Sequence, residues 1–532
     1  MLNNSALSLP KHSTSNNTLN TDTSGVSFQS GMTHDQFQES VKNHIINYYI
    51  LKSDIQILYE RLDIIHKIWI SDLSELYARL RSLYSDSPRG KLPRDPVCMY
   101  RSLLVMAFAG VHTIPKWVKA MRATPLFAIL SGFDPHDTPG VGTFYDFFER
   151  LCPRYQTAHK SSHNDTKKPK THLKQNEKLP ENHKGIVGRL VQRILKYIDT
   201  PHPASPQDTL LNIFADCFVM PSAKMGLIGD IHKLTISADG TLFRTGASHF
   251  GRKTCNCRSK GIYKCDCPRK FSDTNAVWGW DSYREQYVFG YSIYEIVATG
   301  TKYNLPIFSL IAGANRHDSV LEVIALDRAI RLYPQFTFSE IALDSAHDVY
   351  AIYDLHDALG ITSIIALNQK ATGNYKFDPA VEINQDGIPI CKGGFKMCNW
   401  GYDKKDRNRI KWRCPHKCLK NVTCKHFPCS GSYYGRVVYT KPKDDKRLFG
   451  VPPRGSKNWN NRYAERVASE RSFKRKKIDY NLEDARHKSE NLWFIRTVIL
   501  DSCQHIDAWA AQSKTNFQSI ITSWIQEASQ AA

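Results

Sequence analysis

The sequence has no long hydrophobic run. Its longest apolar stretch, Leu103 to Val111 (LLVMAFAGV), is far short of the roughly 20 residues a membrane-spanning helix needs, so no membrane is expected as a partner. The opening residues, MLNNSALSLPKH, lack a basic region followed by a long apolar one. A secretory leader is therefore not expected, and the location that follows is cytoplasmic. Negative charge is scarce as well: Asp plus Glu number 51 against 72 Lys plus Arg, a formal surplus of +21, with a pI near 9.3. A surplus of that size is the footprint of a phosphate-backbone binder, which makes nucleic acid the default partner. No cysteine pair has the common C-x-x-C spacing, yet eight of the 14 cysteines crowd into two short clusters. In a reducing compartment that pattern points to metal rather than disulfides, while the other six suit buried apolar positions.

With 532 residues and 41% hydrophobic content, the chain has enough apolar material for at least two folded units with connectors. Residues 1–33 are rich in Ser, Asn and Thr without apolar periodicity, as in a disordered head. Over 34–152 apolar residues recur at three and four spacings, for instance Ile55, Leu58, Leu62, Ile65 and Trp69. That is the pattern of a helical N-terminal domain, for binding DNA, for dimerisation or as a spacer, with helices expected at 96–110, 114–122 and 143–151. Residues 153–184 read as a basic flexible linker, and 185–230 as a helical connector. In 231–500 the order is β-β-β-α-β-α-β. The first strand, Leu234 to Asp239 (LTISAD), is expected to stop at Gly240, and the fourth, Glu340 to Leu343, ends at Asp344. An aspartate after a strand is more often a turn cap than a functional group. Asp348 rivals Asp344 but reads better as the N-cap of the next helix. A final helix is expected over 501–532.

Cys255, Cys257, Cys265 and Cys267 lie among seven cations between the first two strands. Cys414, Cys418, Cys424 and Cys429 lie in a long Cys-rich insertion at about 371–456, with His416 and His426 among them. Four thiolates satisfy tetrahedral zinc, and a short loop gains folding energy from the metal; exposed free thiols are the alternative for each set.

The stretch 463–477 reads Tyr463, two residues, Arg466, three residues, Glu470, six residues, Lys477. On an ideal α-helix these four share an arc of about 60°. A solvated basic helix with an Arg466–Glu470 ion pair would give the same pattern. In full, however, the spacing Tyr-x2-Arg-x3-Glu-x6-Lys resembles the signature around the catalytic glutamate of bacterial insertion-sequence transposases of the DDE type. The resemblance covers about 234–496, more weakly 95–151.

That resemblance implies an α/β fold: an RNase H-like mixed-sheet core with a helical N-terminal domain and a cysteine-rich insertion before the glutamate helix. It implies two magnesium (or manganese) ions held by Asp239, Asp344 and Glu470, with Asp239 bridging both. It also implies cleavage of double-stranded DNA at the element's terminal inverted repeats, strand transfer into target DNA, and a homodimer on paired ends. Tyr463, Arg466 and Lys477 would contact the DNA, whereas Arg471 and Lys476, projecting elsewhere on the wheel, would serve only as distant phosphate contacts. Two alternatives remain open. One is a domesticated, non-catalytic zinc-containing DNA-binding protein, and the other is an RNase H-like nuclease without strand transfer.

Overall fold

The alternation of Leu234, Ile236 and Ala238 forms a strand, β1, but it runs Leu234–Arg244 instead of stopping at Asp239. Gly240 does not break it: the residue stays in the ladder opposite Tyr294, and a Cβ there would lie 2.0 Å from the Asp318 carboxylate. The glycine is thus needed for the close approach of a neighbouring helix. The computed structural model describes residues 32–85, 93–153, 185–267, 269–368, 381–404 and 407–531. The readings of 1–33 and 153–184 fall almost entirely outside these.

Five further strands complete a mixed sheet: β2 (Val277–Asp281), β3 (Gln286–Ala298), β4 (Pro306–Gly313), β5 (Phe338–Leu343) and β6 (Thr362–Ile365). The order is β2-β3-β1-β5-β6, with β4 also paired to β3. β3 is antiparallel to β1, while β5 and β6 continue parallel to it. Only β2 was not anticipated. Parallel neighbours require a crossover. The helices Asp318–Leu332, ahead of β5, and Tyr350–Ala358, between β5 and β6, lie where that connection is needed.

The helix Pro96–Phe108 begins with a proline at its first turn and with Asp95 accepting hydrogen bonds from the Val97 and Cys98 amides, the groups a helix start leaves unpaired. The helices Ile114–Ala123 and Val141–Leu151 follow as expected, with a further short helix, Pro125–Ser131, between them. The C-terminal region is two helices, Glu490–Gln512 and Phe517–Ala531, so the helix read over 501–532 starts earlier and is broken once. Glu490–Gln512 is buried on nearly every side. It packs against β4, Pro96–Phe108 and Leu62–Ile70, and one apolar cluster runs from Phe37 through the sheet to Trp524. Each fully buried large side chain there contributes about 2 kcal/mol.

Residues 381–456 carry a separate three-stranded antiparallel sheet, Cys398–Asp403, Arg409–Arg413 and Val437–Thr440. It has its own small core of Val381, Met397, Ile410, Trp412, Val438, Leu448 and Phe449.

Candidate functional site

Strand register brings the two aspartates together. β1 and β5 run parallel with Ser237 beside Ala342; continued two residues on, the same register sets Asp344 beside Asp239. Asp344 caps the short turn Ser345–His347, accepting from the Ala346 amide at 3.0 Å and from His347 Nδ1 at 2.7 Å. His347 is fully buried, and its Nε2 lies 2.9 Å from the Tyr294 hydroxyl. Burial pushes the Asp344 carboxyl up, but the hydrogen bond and charge of His347, the Ala346 amide and the charge of Arg466 together outweigh it and hold the group below its ordinary range. His347 is correspondingly raised: burial works against its charge, and Asp344, with the charges of Glu322 and Asp318, more than restores it. Asp239 is pushed up to about 7, first by burial and then by the charges of Asp344 and Asp318. Asp318 is also raised by burial. Neither Asp318, at the start of the helix Asp318–Leu332, nor His347 was singled out from the sequence.

Alternation puts Ser237, Asp239 and Thr241 on one face of β1, and the helix bearing Glu470 lies across that face. Ser237 Oγ and Ser469 Oγ are 3.1 Å apart and both reach the Arg466 carbonyl, at 3.0 and 2.9 Å. Lys477 Nζ donates to Thr241 Oγ1 at 2.6 Å and to the Leu242 carbonyl at 2.9 Å. Asp239 is therefore bracketed on both sides by bonds to the helix that carries Glu470. Arg466 pairs with Glu470 at 2.6 Å, and its charge also acts on Asp239 and Asp344. Tyr463 stacks on Trp459, with ring centroids 4.8 Å apart.

The ideal wheel fails past Lys474. The chain runs Lys457–Tyr463 as α-helix, Ala464–Arg466 as a tighter turn, Val467–Lys474 as α-helix and Arg475–Asp479 as a wider π turn. The π turn shifts the register of everything beyond it. Lys476, read as a distant phosphate contact, is fully buried between Glu295 and Asp501, 2.5 Å from the latter. Asp348 is likewise no N-cap: the helix it precedes has no side-chain cap. Asp348 pairs with Arg447 at 2.6 Å and accepts from the Tyr353 hydroxyl and the Asn368 amide. That pair fastens the 381–456 segment to the sheet.

No protein-family model matches the chain, nor does any curated protein.

Cys255, Cys257, Cys265 and Cys267 converge, their sulfurs all within 4.8 Å of one another. The Cys255–Cys265 and Cys257–Cys267 separations are 3.6 and 3.5 Å, close to the roughly 3.8 Å edge of a tetrahedral zinc–thiolate site. The set could hold a metal such as zinc. Among the described residues no other group of three or more potential ligands is so close. The second set does not converge: Cys414 and Cys418 turn toward Cys398, while Cys424 Sγ lies against Gly393. The short helix Pro415–Cys418 carries the first two thiols and leaves the others on a separate loop. Asp239, Asp344 and Glu470 also fall outside that spacing, with the Glu470 carboxylate drawn to Arg466.

Proposed function

We propose that this chain is a DDE-type transposase, cutting and joining DNA at Asp239, Asp344 and Glu470. The observation that carries the reading is the clamping of the Glu470 helix across β1 at Ser237 and Thr241, on either side of Asp239, while β5 delivers Asp344 alongside. A sheet ordered β4-β3-β1-β5-β6 with only β3 reversed relative to β1 is the arrangement expected of an RNase H-like core. A signature helix, a first-strand aspartate and a fourth-strand aspartate, read separately, thus come to one place.

The donor set fits hard divalent cations. Three carboxylates suit magnesium or manganese; burial, with the neighbouring charges of Asp344 and Asp318, lifts Asp239 to about 7, and a bound cation would offset both. Bound there by Asp239, Asp344 and Glu470, such ions would activate the attacking oxygen and stabilise the leaving one. The chain's own residues do the rest. His347, hydrogen-bonded to Asp344 and held by Tyr294, fixes the Asp344 carboxylate so that one oxygen is committed inward and the other stays open. Arg466 neutralises Glu470 in the resting site and is placed to turn to a phosphate once Glu470 is otherwise engaged, a cation acting where charge develops. Lys477, tied to β1, holds the helix in register, and Tyr463 on Trp459 offers a rigid aromatic edge to the DNA backbone. The zinc-type cysteine cluster stabilises the loop between β1 and β2.

The test is cleavage of duplex DNA carrying the sequences that flank the gene. Asp239→Asn, Asp344→Asn and Glu470→Gln should each lose at least a thousand-fold in cleavage rate while retaining mobility-shift binding within a few-fold, since each removes a ligand charge but not shape. Cleavage persisting in any one of them removes that residue from the site.

A further inference from the structure

Beyond the carboxylates, the hairpin β2–β3 presents aromatic rings to solvent. Trp278 is 47% exposed, Trp280 53%, Tyr287 66% and neighbouring Phe250 71%, although a folded protein normally buries such side chains. Register makes them one surface: Trp278 lies opposite Phe289 and Trp280 opposite Tyr287. Their rings pair at 5.4 and 5.0 Å, and His249 joins Trp278 at 5.0 Å. The rings thus form a row fixed by its own packing and open on its outer side.

The same loop supplies charge. Between Arg252 and Lys270 stand seven cations, Arg252, Lys253, Arg258, Lys260, Lys264, Arg269 and Lys270, against the single acid Asp266. None of the seven makes an ion pair with a carboxylate among the described residues. The two-residue strands Arg252–Lys253 and Arg269–Lys270 pair with each other and are closed by the Cys255, Cys257, Cys265 and Cys267 cluster, so the cations sit on a ribbon that the thiols hold together, leading directly from Phe250.

We propose that this hairpin and ribbon form a platform for unpaired DNA, with bases stacking on Trp278, Trp280 and Tyr287 and the ribbon cations following the phosphates. The pairing of an aromatic row with an unneutralised cationic strip favours a nucleic-acid strand over an apolar protein partner, for which the cations would be costly to cover. Exposed π-faces in a row suit single strands, because in a duplex the base faces are already stacked. Position supports it too. Tyr287 and Glu295 are on the same strand and the same face, Glu295 opposite Asp239; the separation along β3 is roughly 26 Å, within reach of a short frayed segment leaving the cleavage site. The platform is a surface separate from the carboxylates; its nearness to them counts only with the cleavage proposed above, whereas the ring row and the cation strip are independent of that chemistry.

The test is fluorescence anisotropy of a labelled oligothymidylate with the full-length, metal-loaded protein carrying Glu470→Gln, so that no cleavage enters. In that background Trp278→Ala and Trp280→Ala should each weaken single-strand binding roughly ten-fold, while affinity for a blunt duplex changes less than two-fold. Unchanged single-strand affinity in both variants overturns the proposal. So does an equal loss for single strand and duplex, which would mark a general electrostatic surface, or a change in sedimentation without a change in single-strand binding, which would mark a contact between copies. An unaltered thermal midpoint, expected because the rings are exposed, confirms that the variants fold. Failure here leaves the carboxylate reading untouched, and failure of the cleavage test leaves this one standing.

Discussion

At the scale of single residues, neighbours in sequence do unrelated work. Lys476 and Lys477 are adjacent, yet one is sealed between Glu295 and Asp501 and the other reaches Thr241 on β1. A buried cation flanked by two carboxylates cannot be removed cheaply, because both acids then remain in a dry interior. Lys476→Met should therefore destabilise the protein by roughly 3 to 5 kcal/mol, read as a fall in the urea midpoint. Exposed Arg471→Ala should shift stability by no more than about 0.5 kcal/mol. Equal, small shifts for both would contradict the buried triad. The wheel drawn from the sequence put Arg466 and Glu470 on one face, and they do pair, because the chain between them enters the α-helix Val467–Lys474. It misplaced Lys476 because a π turn is set by tertiary packing, here the docking of Ser472 and Lys476 onto Glu295, and leaves no mark on apolar spacing.

Elements show the same division between what patterning reveals and what it hides. Strands with clean alternation or strong apolar runs, β1, β3, β4 and β5, were legible to within a few residues, and so were the helices of 96–151. β2 was not, since its sequence VWGWD puts tryptophans outward and small or apolar residues inward, and nothing local says which side is wet. Asp348 was misread for a related reason: its partner, Arg447, is 99 residues away. Arg447 and Arg454 tie the 381–456 segment to the sheet, Arg454 bonding the Ile365 carbonyl and the Tyr353 hydroxyl. Asp348→Asn leaves the Arg447 charge buried and should loosen that attachment, exposing the chain near 440–456 to protease. Pairing it with Arg447→Met should recover much of the loss, with a coupling energy on the order of 2 kcal/mol in a double-mutant cycle. Additive single effects would mean that the pair is not the fastening. The close spacing of Asp344 and Asp348 also makes an inactive Asp348 variant ambiguous until this protease pattern is known.

Across the whole molecule, the long helix Glu490–Gln512 joins the sheet to the N-terminal helices, and its polar residues make stability depend on pH. His505 is fully buried, with Nε2 2.8 Å from the Pro306 carbonyl and Nδ1 2.7 Å from the Ser222 hydroxyl, which also accepts from Trp509 Nε1. Nε2 must carry the proton, and Nδ1 accepts; a second proton would force the serine hydroxyl to turn away. Burial lowers His505 to about 4, and burial with the charge of Arg496 lowers His487, just before the helix, to about 3. Both lie below the unfolded value near 6.5, so the unfolded chain takes up protons first on acidification. The stability these neutral rings contribute is complete above about pH 6.5 and drains away as pH falls toward 4, by about 1.4 kcal/mol per pH unit for each ring. Asp239 and Asp501, raised to about 7, act with the opposite sign over the same interval, so the wild-type profile is a sum. The decisive quantity is therefore a difference. Urea midpoints between pH 7 and 4.5 should fall less steeply in His505→Gln than in wild type, by about 1.4 kcal/mol per unit, even if the variant is weaker at pH 7. Parallel slopes would show that His505 titrates normally, and that the Ser222–His505–Pro306 chain does not hold the helix against the sheet as a neutral pair of hydrogen bonds.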